Sequence, residues 1–307
     1  MPQNVLVTGA SGFVGRFVVD ELLARGHAVR TLVHRRPIAA NERVQSVSAD
    51  LFDPHALAKA MQGCHAVVHL VGIIQQNPSR GITFERMHAE ATRSVVAGAK
   101  IAGVKRYVHM SALGTRAGAV SEYHQTKYRA EQCVQSSGLD WTIFRPSLIH
   151  GPGGEFTQME AAWARKTKPP FLFMPYFGKG LLGFGGAGKL QPVYVKDVAR
   201  AFAEALEAVR SAGEIYPLAV SQIVTWPQLH ALFSQAAVGK RRWVLPLPVW
   251  AAKLQIALGI ARLAGFNRDQ VIMSQEDNTC DTAKFQDHFG WTPAGIDATL
   301  AQYGSQI

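Results

Sequence analysis

"NVLVTGASGFVGRFVVDELLARGHAVRTLV", residues 4–33, decides the fold. An apolar run leads into a glycine-rich turn, and an amphipathic stretch follows. Gly26 stands where a helix C-terminal cap belongs, and a β-branched apolar run resumes at 28–33. Strand, turn, helix and second strand with such short loops form a β-α-β unit, which builds a parallel sheet.

The turn places Gly9, Gly12 and Gly15 between strand and helix. The first glycine permits the tight turn, the second lets backbone approach a pyrophosphate, and the third lets helix and strand pack closely. A helix start there offers free N–H groups and a positive dipole end to phosphates. The plainer alternative is a tight βα turn with no ligand. An NAD-specific site would carry an acid about 20 residues further on, for the ribose hydroxyls. This chain has "VHRRP" instead, with His34, Arg35 and Arg36. Guanidinium groups suit a 2′-phosphate, so NADP(H) is favoured over NAD(H); solvated loop charge is the alternative.

The pattern repeats. "RVQSVSADLFDPHALAKAMQGC" reads as a third strand, then a helix capped by Asp53 with Pro54 at its first position. "HAVVHLVG" is an apolar run typical of a strand buried on both faces. The spacing predicts one long helix over 83–102 with Met87, Ala91, Val95 and Ala99 inward. "RYVHMS" and "DWTIFRPS" supply two more strands. The fold class expected is α/β, a doubly wound parallel (Rossmann) sheet, with ligands bound beyond the strands' carboxyl ends. Residues 1–152 form this domain, with 194–220 returning to it. Residues 153–193 and 221–307 form a smaller, mainly helical C-terminal substrate or lid lobe.

Between the last two strands lies "SEYHQTKYRA" (121–130), with Tyr123 and Lys127 at i,i+4 on one helix face. A phenol titrates near 10, about three units too high for a base at neutral pH. A nearby ammonium in a desolvated cleft would supply the missing stabilisation of a phenolate. Ser111, at a strand end twelve positions before Tyr123, can hydrogen-bond a reacting oxygen. The alternative is that the pair is ordinary helix surface.

Composition bounds the partners. The chain has 307 residues, 48% apolar and 18% charged, with net charge +10. That charge suits an anionic partner, but the basic residues are scattered and no nucleic-acid motif appears, so nucleic-acid binding is not expected. Cys64, Cys133 and Cys280 have no metal or disulfide spacing and read as free thiols of a reducing compartment. With the first strand starting at Asn4, no targeting peptide is expected, and the expected location is cytoplasmic or membrane-peripheral. His69, His109 and His150 fall at strand ends, but nothing completes a ligand set; structural histidines are favoured over a metal.

Two later stretches are unusually apolar. "KPPFLFMPYFGKGLLGFGGAGKL" (168–190) reads either as a buried hairpin or as a lid or docking patch. "VWAAKLQIALGIARLAGF" (249–266) is too polar to span a bilayer, and its Leu254, Leu258 and Ala261 share one face. That face is expected in the lobe's core. Peripheral contact with a membrane or protein complex, through 168–190 or 249–266, is the sharper alternative.

"TGASGFVG" (8–15), Asp50-Leu51, Ser111, the Tyr123–Lys127 pair, "FRPSLIHGPG" (144–153) and "QPVYVKDVARA" (191–201) together resemble the short-chain dehydrogenase/reductase superfamily, in its extended or atypical epimerase/dehydratase-like branch. Within it, "HLVGII", "HMSALG" and "PVYVKDVA" are most similar to the dehydrogenase-like accessory subunit of respiratory complex I and its bacterial relatives. The resemblance implies that Thr8, Gly9, Ser11, Gly12, Phe13, Val14 and Gly15 form the pyrophosphate turn. It also implies that Asp50 and Leu51 flank adenine and that Val71 and Gly72 line the ribose. Ser111 would orient a substrate carbonyl, Tyr123 act as acid/base, Lys127 hold the nicotinamide ribose, and Pro146 lie beside the carboxamide. Three functions fit: an NADP-dependent oxidoreductase, or an epimerase/dehydratase-like enzyme, on an unidentified carbonyl or alcohol, with apolar ones among the candidates; a non-catalytic NADPH-bound scaffold of a respiratory or membrane assembly; and an NADPH/NADP sensor.

Overall fold

The computed structural model describes residues 1–33, 42–186, 188–259 and 266–307. The central sheet has seven parallel strands: β1 (Asn4–Thr8), β2 (Ala28–Val33), β3 (Val44–Ser48), β4 (Ala66–His69), β5 (Arg106–Met110), β6 (Asp140–Pro146) and a last strand, Glu214–Leu218. Their order across the sheet is Glu214–Leu218, β6, β5, β4, β1, β2, β3, every pair parallel. The order therefore reverses between β1 and β4. Loops leaving those two strands diverge to opposite faces and open a crevice at their carboxyl ends.

Helices cover both faces. α1 (Phe13–Ala24) packs with the Val195–Ala205 helix, while α2 (Pro54–Ala60) packs with α3 (Ala91–Ile101), and α3 with α4 (Glu122–Gln135). Strand alternation turns Leu6, Val67, Tyr107 and Ile143 into a core with Leu57, Met61, Val95 and Val134 from that second group. Local chemistry sets the helix starts. The Asp53 carboxylate accepts from the N–H groups of His55 and Ala56, with Pro54 at the first position. Ser121 caps α4 by accepting from the His124 N–H at 3.3 Å.

The helix expected over 83–102 is interrupted. Residues Glu85–Glu90 form a π-helical turn that runs into α3. Ala91, Val95 and Ala99 point inward as expected, but Met87 is only partly buried, and Phe84, His88 and Ala89 take the inner positions.

The chain divides into two compact units. The first comprises Met1–Pro146, Val195–Leu218 and Thr282–Trp291; the second comprises Ser147–Tyr194, Ala219–Asp281 and Thr292–Ile307. The first unit thus claims a C-terminal segment that the boundaries 1–152 and 194–220 omit. The reason is aromatic packing: Phe289 lies 5.9 Å from Phe144 and 5.2 Å from Tyr216, and Phe285 stacks on Phe289 at 4.7 Å.

In the second unit, Met174–Gly178 pairs in parallel with Val244–Pro248, and the Trp226–Val238 helix starts on a Thr225–Gln228 capping box. The Val249–Ala257 helix buries only Ala252. Leu254 and Leu258 are 52% and 64% exposed, so they are not core residues, and Ala261 lies outside the described residues. The stretch 168–190 is not a buried hairpin either. Met174 and Tyr176 are buried, but Phe171, Leu172, Leu181, Leu182 and Phe184 are exposed.

Candidate active site

α1 begins with nothing in its way. Its N-cap is Gly12, which supplies no side-chain cap, and its first turn carries no acid. Ser11 and Gly12 are exposed, Phe13 is partly buried and Val14 is buried. Gly9 holds φ +73°, which a side chain would strain, and its carbonyl accepts from the Gly12 N–H at 3.0 Å. A Cβ on Gly15 would lie 2.1 Å from the Gly9 oxygen and 2.7 Å from the Ala10 Cα, so only glycine lets the helix start close over the turn. The result is an open row of N–H groups at the positive end of a helix, the cradle a diphosphate needs. Thr8 supports this turn from below. It is fully buried, and its hydroxyl is 2.7 Å from His69 Nδ1.

Beside the cradle, the loop leaving β4 meets α4. Lys127 is 2% exposed, and its Nζ donates to the Met110 carbonyl at 3.0 Å, one residue before Ser111. A Cβ on Gly72 would lie 3.0 Å from that Nζ, so the missing side chain leaves the ammonium approachable. Gly72 itself is exposed and Val71 partly buried. Burial lowers the Lys127 pKa to about 8, although the Glu131 charge favours the ammonium. Glu131, also buried, holds Arg145 of β6 through two bonds of 2.8 and 2.6 Å, which fixes α4 against the sheet.

Tyr123 sits one turn before Lys127 among aromatic rings. His88 and Phe84 meet it edge to face at 5.2 and 5.6 Å. Burial pushes its phenol up to about 12. Ser111 is buried at the end of β5, its N–H donates to the Phe144 carbonyl at 2.8 Å, and its hydroxyl lies 3.3 Å from that of Thr115.

His88, which the sequence reading passed over, ties these parts together. Its Nδ1 lies 2.8 Å from Thr126 Oγ1, and its Nε2 lies 3.1 Å from the Ile73 N–H. A neutral ring with the proton on Nδ1 satisfies both, because the Thr126 hydroxyl can donate to the Tyr123 carbonyl at 2.9 Å. Burial, with the Lys127 charge second, lowers the His88 pKa to about 2. The ring is therefore a fixed neutral strut between the loop carrying Gly72 and the helix carrying Tyr123 and Lys127. The signal available beforehand was its spacing, since His88 stands three, seven and eleven residues before Ala91, Val95 and Ala99, on the face the helix turns inward.

A row of polar groups lies beneath. Thr8, His69 and His109 occupy one register across β1, β4 and β5. His69 Nε2 contacts Thr92 Oγ1 at 3.1 Å, and His109 stacks on His69 at 5.4 Å. Burial lowers His69 to about 3 and His109 well below its usual value. His150 belongs to the second unit, where its Nδ1 contacts the Tyr303 hydroxyl at 2.7 Å. Among the described residues, no group of three or more His, Cys, Asp or Glu is placed to hold a metal.

The remaining expected residues lie further out. Asp50 is exposed, with Oδ1 accepting from the Phe52 N–H at 2.9 Å, and Leu51 is partly buried beside it. Pro146 is buried at the end of β6, its carbonyl accepting from the Leu113 N–H at 2.8 Å. His34, Arg35 and Arg36 lie outside the described residues. The uncapped helix start and the glycine opening over Lys127 both fit a nicotinamide dinucleotide. Gly9, Gly12 and Gly15 would hold the diphosphate, and Gly72 and Lys127 a ribose.

Comparison with known proteins agrees with this geometry. Residues 9–166 match the profile of the NAD(P)H-binding family. The chain is 34% identical to a ceramide reductase of Caulobacter vibrioides over 152 residues, 48% of this chain and 47% of that protein, so the match spans about half of that relative's length. It is 28% identical to mitochondrial NADH dehydrogenase [ubiquinone] 1 alpha subcomplex subunit 9 of Arabidopsis thaliana over 306 residues, 92% of this chain and 72% of that one. Among solved structures, gox2253 superposes with a TM-score of 0.74 at 26% identity over 99% of both chains. The UDP-glucose 4-epimerase of Thermotoga maritima superposes with a TM-score of 0.74 at 20% identity, over 98% of this chain and 97% of the epimerase, which speaks for the fold alone. The chain belongs to the NAD(P)H-binding family, with the Rossmann architecture of the extended short-chain dehydrogenases/reductases.

Proposed function

We propose that this chain is an oxidoreductase that interconverts a carbonyl and an alcohol with NADP(H), in preference to NAD(H), at the Ser111–Tyr123–Lys127 site. The observation that carries the reading is Lys127: a buried ammonium held on the Met110 carbonyl beneath a glycine opening. Burying a cation costs stability, and a chain keeps one where it acts on a ligand. When bound, the dinucleotide supplies a hydride or accepts one. In the reducing direction Tyr123 donates its phenolic proton to the oxygen that gains negative charge. The ammonium of Lys127 lowers the cost of the phenolate left behind. Ser111 donates a hydrogen bond to the same oxygen and orients it. Phe84 and His88 pack edge to face on the Tyr123 ring and fix its orientation. The preference for NADP(H) rests on Arg35 and Arg36 and on the missing acid in "VHRRP".

A second reading, an accessory protein that binds the dinucleotide without turnover, is favoured by one observation. The likeness to the complex I subunits extends over 92% of the chain, whereas the ceramide reductase match covers 48%.

The deciding experiment is a panel of carbonyl substrates followed by NADPH absorbance, with Tyr123→Phe beside the parent. The substitution should leave dinucleotide affinity within about twofold and cut turnover by roughly 10²–10⁴, as loss of a general acid does. Full activity in the Phe variant would remove Tyr123 from the mechanism. A parent that binds NADPH tightly yet turns over nothing would establish the accessory reading.

A further inference from the structure

The second unit carries an apolar surface that its own core does not use. Lys179 and Gly185 exchange backbone hydrogen bonds, which closes a hairpin tip over 179–185. Leu181, Leu182 and Phe184 on that tip are 79%, 68% and 72% exposed. The tip is fastened rather than loose: the Trp250 indole N–H donates to the Leu181 carbonyl at 3.0 Å, and Gly183 packs against Pro246 and Pro248. Trp250 opens a second exposed row, because Trp250, Leu254 and Leu258 follow one another at four-residue steps along one helix face, each more than half exposed. A soluble helix ordinarily turns such a face inward. Here two elements held together by a hydrogen bond both turn theirs outward, and a contiguous apolar surface of this kind marks an interaction site.

The charge around it selects the partner. No acidic residue occurs between Glu160 and Asp197, nor between Glu214 and Asp269, while lysines and arginines recur through both stretches. Lys179 lies in the exposed tip and Lys253 beside Leu254, both exposed, with Arg241 and Lys189 also exposed. Apolar side chains for insertion, a tryptophan at their margin, and exposed lysines and an arginine on the same stretches describe a surface for the headgroup layer of an anionic bilayer. Among the described residues no helix is long and apolar enough to cross a membrane, so the contact is peripheral.

We propose that the 179–185 tip and the exposed face of the Val249–Ala257 helix dock this protein on anionic lipid membranes. The inference does not depend on turnover at Tyr123. It is tested by sedimentation of the full chain with vesicles of phosphatidylcholine, alone or mixed with phosphatidylglycerol, at ~0.1 M and ~0.5 M salt. Anionic vesicles should retain the protein about tenfold or more better than neutral ones, with retention falling at the higher salt. L182E combined with L254E should lower retention by about tenfold or more while leaving dinucleotide binding unchanged. Should that pair fail to fold, F184S with L254S serves instead. Quenching of tryptophan fluorescence by brominated acyl chains, reduced in W250F, gives an independent readout. No retention of the parent on anionic vesicles, or retention unaltered by the substitutions, overturns the proposal. So does a parent that sediments as a dimer, binds no vesicles and becomes monomeric in L182E/L254E; the face would then belong to a second copy of the chain.

Discussion

Lys127 and His88 show what single residues contribute. Burial lowers the folded pKa of Lys127 to about 8, against 10.5 for the free side chain. The folded state therefore bears a penalty that is full below pH 8 and is relieved as pH rises from 8 to 10.5. Lys127→Met should stabilise the ligand-free protein by about 1–2 kcal/mol at pH 7, with the Met110 carbonyl losing its partner. The gain should shrink above pH 8, and dinucleotide affinity should fall by about tenfold or more. Urea unfolding and titration with NADPH check both; a variant less stable than the parent at pH 7 would show that the ammonium holds the fold together. His88→Leu keeps the packing against Phe84 and Tyr123 but leaves the Ile73 N–H and the Thr126 hydroxyl without their ring partner. It should cost roughly 2–3 kcal/mol and weaken dinucleotide binding. His88→Gln, which can restore one of the two bonds, should recover part of each, and equal losses in both variants would count against the strut.

At the scale of elements, the glycine turn and α1 act as one piece. A Cβ at Gly15 collides with backbone, the Gly9 carbonyl and Ala10 Cα, which cannot rotate away as a side chain could. Gly15→Ala should therefore lift the first turn of α1 off the loop. We expect a loss of about 2–4 kcal/mol and dinucleotide binding weakened well beyond that of a surface Gly→Ala control such as G295A, where φ is negative and a Cβ would meet only Gln222 Oε1, at 3.7 Å. Thermal melting with and without NADPH separates the two effects. The turn was legible in the sequence because glycine spacing is a local property. The π turn at Glu85–Glu90 was not. A regular period carried through 83–102 places Met87 inward, and the extra residue of the turn appears only when Phe84 and His88 are packed against Tyr123.

For the whole molecule, buried neutral histidines set the acid limit. His69, His88 and His150 have pKa values lowered to about 3, 2 and 4, and His109 is lowered well below 6.5, with burial the main cause in each. Below pH 6.5 the unfolded chain takes up protons that the folded one refuses. Their contribution is present in full above pH 6.5 and is lost as pH falls towards 4, at about 1.4 kcal/mol per pH unit for each histidine. Urea unfolding between pH 7.5 and 5 should show this steep loss. His109→Phe removes two buried ring nitrogens that lack partners among the described residues. It should flatten the slope by about one proton and stabilise the protein more at pH 5 than at pH 7. An unchanged slope would mean that His109 is protonated in the fold.

By itself the sequence determined what depends on neighbours along the chain. The alternation of strand and helix, the glycine turn, the Asp53 cap and the i,i+4 placement of Tyr123 and Lys127 all follow from local periodicity and backbone sterics. Tertiary structure alone decided what depends on distant partners. Burial of Lys127 under Gly72, the bonds of His88 to Ile73 and Thr126, and the row Thr8–His69–His109 each join segments far apart in the chain. The same holds for the Val249–Ala257 helix, where apolar spacing gave a face but not its direction. A periodic pattern says which residues share a side, and only packing says whether that side meets core or solvent.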